Sequence, residues 1–422
     1  MFFDFNQIKS VMKKILFINF FSKVFPLIIK LNVFTIPHKY TKNDQSNINT
    51  LYESNIFTQI TVGTPKKIIN SKIIFSSFIY YLNDNINFYS KNYSSSYTQN
   101  SNLKLLFINQ AFNYGYYCSE NFYFKNEKNT EIKIENFPTI LAVESNLEYS
   151  FYLGFNYYSS ENYELNFIEQ LKSEKYIDSY IFSFEFNNDK EGEIIIGSFP
   201  HNYNSKMYNE NDLKWTNAFL IHPFFYWNIY FNIIIFDNKK FNGSTVCTFE
   251  YESNLIFAPI EYKSILVNKF INENKNKCYE IKNEKKHSFF ICEKNINIKK
   301  IPKITFISKE LNYEFEVDYN DLFNEINGKL YLLIAFDDNQ EFKRWKLGIP
   351  FLKKYKFLFD QSKRIIGFYS NKKQNNQNIS LVWLFILIVI IFVLSYVIYK
   401  VRIIKRKKRI NEIEDNYEYL PQ

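Results

Sequence analysis

Few residues in this sequence are placed to do chemistry, and the most suggestive are two glutamates. They stand in Phe249-Glu-Tyr-Glu-Ser-Asn-Leu-Ile-Phe-Ala-Pro259. A carboxylate can serve as acid or base towards a bound water when a second carboxylate lies close. Like charges at that distance do not both ionise, so the pair divides the two roles. Glu250 would need such a partner. Upstream, Lys66 to Asn83 contains no Asp, Glu or Gly, and Asp84 is the first acid to follow. The plainer reading makes Glu250 and Glu252 a solvated loop. Other chemistries lack their residues. His38, His201, His222 and His287 show no metal-ligand spacing. Neither a G-x-S-x-G elbow nor a phosphate-binding loop is present. No metal or cofactor is expected.

The elements that must carry these residues read mostly as strands. A chain of 422 residues is long enough for two ordinary domains with flanking segments. Apolar residues make up 46%, enough for a sizeable core, and the 46 Phe and 34 Tyr favour strands. Glycine is scarce, with 9 in all. The bias towards Asn, Lys, Ile, Phe and Tyr reads as genome composition rather than function. Net charge is +9, but residues 1–30 carry +4 of it and residues 400–422 carry +3, so the body is close to neutral at +2. That balance offers no footprint for nucleic acid.

Several segments follow one another in a telling order. Ile56-Phe-Thr-Gln-Ile-Thr-Val-Gly-Thr-Pro65 alternates as a half-buried strand that ends in a turn. Phe151-Tyr-Leu-Gly-Phe-Asn156 comes next. Asn166 to Lys175 has helical spacing and leads into Ile177-Asp-Ser-Tyr-Ile-Phe-Ser-Phe184. Gly192-Glu-Ile-Ile-Ile-Gly197, Tyr226-Trp-Asn-Ile-Tyr-Phe231, the Phe249–Pro259 stretch and Ile301-Pro-Lys-Ile-Thr-Phe306 follow. The last is Trp345-Lys-Leu-Gly-Ile-Pro-Phe-Leu through Phe359-Asp360 to Ile366-Gly-Phe-Tyr369, which alone reads as two apolar strands joined by a polar turn. In this order they resemble the pepsin-like aspartic proteases (the A1 peptidase family) over about residues 50–370. The resemblance implies a mainly β, bilobal fold. Its lobes would be residues 50–188 and 189–370, and Leu153-Gly154 and Leu347-Gly348 would be traces of an internal duplication.

The family reaction uses one aspartate from each lobe, each in Asp-Thr/Ser-Gly. The small hydroxyl residue braces the loop, and the glycine permits close backbone approach. In the first lobe, counting from Pro65 puts Ile74 in the aspartate slot, whereas matching Phe75 to the family phenylalanine puts Ser76 there. In the second lobe, Pro259 anchors a register with Glu250 in the aspartate slot, Tyr251 in the hydroxyl slot and Glu252 in the glycine slot. No intact catalytic set is expected. The flap should lie around Phe107–Tyr117, with the family tyrosine slot near Asn109. Tyr114, Tyr116 and Tyr117 sit in its second arm, so a cleft bordered by Tyr114, Tyr116, Glu250 and Glu252 is the expected binding place. Ile349 replaces the acidic residue that many relatives have after Leu-Gly. The family's second-lobe disulfide would fall on Cys278–Cys292, which leaves Cys118 and Cys247 unpaired or buried. Asn92 and Asn242 are glycosylation sequons.

The ends suggest a membrane protein. Residues 1–30 read as a signal peptide, with basic residues before an apolar run. Residues 31–50 are too short for the family's usual inhibitory prosegment. A polar stalk, 371–378, precedes an uncharged apolar span, Ile379 to Tyr399, long enough to cross a bilayer. Lys400, Arg402 and Lys405–Arg409 follow, which places residues 400–422 in the cytosol and the body in the lumen or outside. Tyr417-Glu-Tyr-Leu420 fits a pattern that endocytic adaptors read. The expectation is a single-pass type I membrane protein of the secretory system, endolysosome or cell surface. Its ectodomain would bind a peptide or protein in the cleft without cleaving it. The alternatives are an active endopeptidase using Glu250 with a carboxylate such as Asp84, and a trafficking or scaffold receptor read through its tail.

Overall fold

A computed structural model describes residues 28–35, 39–52, 56–75, 80–83, 89–102, 104–108, 111–126, 128–143, 151–156, 166–188, 191–219, 226–283, 286–337, 344–370 and 390–406. The described residues up to 370, apart from Lys206–Tyr208, form one compact unit; those three and the C-terminal segment form another.

The first unit is built on two sheets. The larger runs through the strands Leu213–Asn217, Ile365–Tyr369, Phe357–Asp360, Ile181–Phe186, Glu191–Ile196 and Ile29–Thr35. It continues into the first lobe through Ile56–Val62, Lys67–Ile74 and Phe151–Gly154, then Tyr81–Asn83, Glu131–Val143 and Ala111–Asn126. The second lobe has its own sheet, centred on Asn228–Phe236, Lys239–Phe249, Trp345–Leu347, Ile256–Pro259 and Ile334–Asp337. The strand Phe357–Asp360 pairs with Ile181–Phe186 on one side and Ile365–Tyr369 on the other, so the end of the second lobe is hydrogen-bonded to the first. Within that pairing, the Lys356 ammonium lies 2.6 Å from the Glu185 carboxylate, both buried.

Both lobes repeat one crossover. In the first, Lys67–Ile74 pairs in parallel with Phe151–Gly154, with Ile73 opposite Leu153 and Ile74 opposite Gly154. In the second, Lys239–Phe249 pairs in parallel with Trp345–Leu347, with Phe249 opposite Leu347. Glycine after the second Leu is required by packing. A Cβ on Gly348 would meet the Leu255 carbonyl oxygen at 2.1 Å and that of Ser253 at 2.5 Å.

Two features differ from the sequence reading. The strand Ile29–Thr35 starts inside the stretch expected as leader, and it pairs with Glu191–Ile196 and Ile56–Val62. Ahead of the expected lobe boundary, the helix Asp44–Tyr52 docks on the second lobe rather than the first. Its Ile48 and Leu51 are buried against Leu255, Phe257, Phe289 and Tyr331. Asp44 receives hydrogen bonds from Lys329 at 2.7 Å, from Tyr331 at 2.6 Å and from Tyr279. Such polar helices are held by tertiary contacts, not by propensity.

Residues 390–406 form a helix whose apolar side chains, among them Ile391, Phe392 and Leu394, are exposed. Among the described residues no helix is long and apolar enough to cross a membrane. The expected span is described only from residue 390, and its first part, the stalk, and Tyr417–Leu420 lie outside the described residues.

Two outcomes follow. Gly348→Ala forces its new methyl into backbone oxygens, so chemical denaturation should show a loss of several kcal/mol, on the scale of severe core mutations, ~4 kcal/mol or more. Burial alone would raise the Asp44 pKa, but the hydrogen bonds from Lys329, Tyr279 and Tyr331 outweigh it and hold the carboxyl below its usual value. Its stabilising contribution is therefore complete above the unfolded value of about 3.9 and disappears as pH falls through the lower folded value. Unfolding midpoints measured down through that window should fall for the wild type, and the fall should be shallower in Asp44→Asn.

Candidate functional site

The two crossovers bring one loop from each lobe to the junction, and their pairing sets a common register. Leu153-Gly154 in the first lobe corresponds to Leu347-Gly348 in the second, so Ile74 corresponds to Glu250 and Phe75 to Tyr251. The next strand agrees: Tyr81 pairs with Tyr152 as Phe257 pairs with Lys346. Both are seven residues beyond their slot.

Aromatic side chains fill the junction. Phe75 and Tyr251, one from each lobe, stack with centroids 4.0 Å apart and planes 26° from parallel. Phe184 lies 4.7 Å from Tyr251, Phe155 5.7 Å from Phe75, and Phe359 6.1 Å from Phe75. Trp227 of the second lobe donates its indole N–H to the carbonyl of Phe155 in the first, at 2.9 Å. Ile74, Phe75 and Tyr251 are buried. Burial pushes the Tyr251 phenol far up.

The glutamates are not the solvated loop expected from sequence. The Phe75 backbone N–H donates to the Glu252 carboxylate at 2.6 Å, so Glu252 bridges the lobes. Glu250 is partly buried and lies 3.0 Å from the Lys346 ammonium. Burial would lower the Lys346 pKa, but the Glu250 carboxylate outweighs it and the ammonium is held above its usual value. Beside this pair, the Tyr52 hydroxyl bonds His287 Nδ1, and His287 Nε2 lies 3.4 Å from Asp337. Burial, and then the charges of Glu250 and Asp337, raise the Tyr52 phenol despite a hydrogen bond from Asn283. Lys346, Tyr52, His287 and Asp337 were missed by sequence reasoning. The one available signal was the lysine between Trp345 and Leu347.

Other expected residues scatter. Tyr114 is half exposed, and the Tyr116 ring lies 4.6 Å from the Lys91 ammonium. Ser76, Asp84 and Asn109 lie outside the described residues. Ile349 begins the short helix Ile349–Leu352. Cys278 and Cys292 are bonded, whereas Cys118 and Cys247 are free and buried. Asn92 and Asn242 are both exposed. Among the described residues no cluster of His, Cys, Asp and Glu is arranged to hold a metal ion.

Two lobes built on one repeated crossover and joined by a shared sheet define the pepsin-like class. A family model for eukaryotic aspartyl proteases matches residues 56–371, and the chain belongs to that family. Among solved structures it is similar to basic 7S globulin from soybean, at 15% identity and a TM-score of 0.60, over 82% of this chain and 98% of that one. It is also similar to conglutin gamma, a basic 7S globulin from lupine seeds, at 14% identity and a TM-score of 0.61, over 82% of this chain and 96% of that one. A search of curated proteins finds no significant match.

The stack predicts a mutational result. Phe75→Ala removes one ring of the inter-lobe pair and opens a cavity, so it should cost about 3–5 kcal/mol. Guanidinium unfolding should show this, with cooperativity between the lobes reduced.

Proposed function

We propose that this chain is a catalytically inactive, membrane-anchored member of its family that binds a peptide or protein in the inter-lobe cleft. The observation that carries this reading is the pairing of slots. Where the family reaction needs a carboxylate from each lobe, Ile74 holds the first-lobe position equivalent to Glu250, and Glu250 already pairs with Lys346. Neither hydroxyl position holds a hydroxyl of the usual kind. Phe75 and Tyr251 stack there instead. An acid–base pair that shares a proton loses its logic when one member is an alkyl group. Family membership does not supply the missing chemistry.

A second reading rests on Glu252. Its carboxylate reaches across to the backbone N–H of Phe75, next to Ile74, which brings an acid to the first-lobe slot. An active endopeptidase would pair Glu250 with a second carboxylate, for which Glu252 is a candidate beside Asp84, which lies outside the described residues. The two readings separate in one assay. The full-length protein in detergent, shown folded by near-ultraviolet circular dichroism, is incubated with denatured casein at acid pH, with and without pepstatin. No cleavage is expected from the wild type, Glu250→Gln or Glu252→Gln. Pepstatin-sensitive cleavage lost in both variants would establish the second reading, because members of such a pair fail together.

The anchoring part rests on sequence. An apolar run from Ile379 to Tyr399 followed by Lys400, Arg402 and a basic cluster fits a span with a cytosolic tail. In sealed microsomes, added protease should remove only the tail and leave a protected ectodomain. A protected C-terminal epitope would overturn that orientation.

A further inference from the structure

The first lobe holds a cavity of about 410 Å³, lined by none of the residues that meet at the junction. That volume falls in the range of small-molecule sites, about 300–1,000 Å³. Three elements wall it. Tyr117 and Cys118 lie on the strand Ala111–Asn126, and Thr139 lies on Glu131–Val143, directly opposite Cys118. Gln170 and Glu174 come from the helix Phe167–Ser173 and its C-cap. Tyr80, fully buried, closes the inner side and donates its hydroxyl to the Pro138 carbonyl.

Folding does not account for all of these groups. Thr139 is only 4% exposed, and its buried Oγ1 has no hydrogen-bond partner among the described residues. A buried hydroxyl left unmade costs about 1–3 kcal/mol. Valine would fill the same strand position without that cost. Gln170 is 7% exposed, uses its backbone N–H and C=O within the helix, and brings an amide to the lining. The remaining lining mixes Tyr80, Tyr117, Cys118, Pro138 and Ile140 with polar Asn100 and Ser173. Glu174, exposed at the rim, is the one charged group in the lining. Burial, reinforced by the Glu120 charge, pushes the Cys118 thiol up to about 12, so it stays neutral and the cavity has no nucleophile to offer.

We propose that this cavity binds a small aromatic amine. The ring would lie against Tyr80, the ammonium would be held by Glu174, and a polar ring substituent would meet Thr139 and Gln170. The lining argues against anions, since its one charged residue is acidic and it includes no Lys or Arg. Rings beside the ammonium favour a cation further. The inference is independent of whether the inter-lobe cleft is active.

The test uses the full-length protein in detergent and saturation-transfer NMR. The probes are tyramine, tryptamine and benzylamine, with 4-ethylphenol and 4-hydroxyphenylpropionate as neutral and anionic controls. At least one amine should bind, and tyramine should bind more tightly than either control. Glu174→Gln, an exposed change that leaves folding intact, should weaken tyramine by on the order of tenfold and 4-ethylphenol hardly at all. Thr139→Val should raise the melting temperature of the free protein and weaken tyramine severalfold. The proposal is overturned if no amine shows saturation transfer from folded wild type, or if both substitutions leave tyramine binding unchanged.

Discussion

Everything at the centre of this molecule depends on how two loops, one from each lobe, are allowed to meet. Here they meet through a ring on a ring. Phe75 and Tyr251 stack at 4.0 Å, and the surrounding Phe155, Phe184 and Phe359 extend the contact into both lobes and the shared sheet. An aromatic contact of this kind contributes about 0.5–1.5 kcal/mol beyond the area it buries. A polar atom in such surroundings is costly unless it is well paired. The polar links that remain are directed ones: Glu252 accepts from the Phe75 backbone, and Trp227 donates to the Phe155 carbonyl. A junction closed in this way holds the lobes together through rings and these two directed links.

The same constraint explains how the charges are arranged. Glu250 sits at the edge of the aromatic cluster, where a lone carboxylate would be poorly solvated, and Lys346 balances it at 3.0 Å. Lys346 comes from the strand that pairs with the Glu250 loop, so the crossover itself supplies the counter-charge. Next to it, Tyr52, His287 and Asp337 tie the N-terminal helix to the second lobe. Asp44 does the same at the other end of that helix through Lys329 and Tyr331. The helix is short and polar, and it owes its conformation to these distant partners and to the burial of Ile48 and Leu51.

Sequence revealed what is local or periodic. The strand Ile56–Val62, the helix Phe167–Ser173 and the closing strands Phe357–Asp360 and Ile365–Tyr369 were readable from alternation, spacing and turn residues. The Cys278–Cys292 bond was implied by family resemblance, and the two residues face each other on adjacent strands. What escaped was contact between residues far apart in the chain. Phe75 and Tyr251 are ordinary packing residues on their own, and nothing local tells that they touch. The choice between Ile74 and Ser76 could not be made from Pro65 or Phe75 alone. It turns on pairing with Leu153-Gly154, and on the equal seven-residue steps to Tyr81 and Phe257.

Glycine use ties these observations together. The chain has 9 glycines, and many of its left-handed turns go to asparagine instead, at Asn129, Asn136, Asn238, Asn312 and Asn327. Asparagine tolerates that conformation better than most residues, so such positions can give up glycine cheaply. Positions where backbones touch cannot. A Cβ on Gly348 would lie 2.1 Å from the Leu255 oxygen, and one on Gly192 2.4 Å from the Glu185 oxygen. The loop glycine that the family reaction calls for is of a third kind, needed for chemistry rather than for packing. At that position this chain carries Glu252, whose side chain is used to join the lobes. At Gly348 and Gly192 the fold leaves no room for a side chain, whereas at Glu252 it uses one to join the lobes.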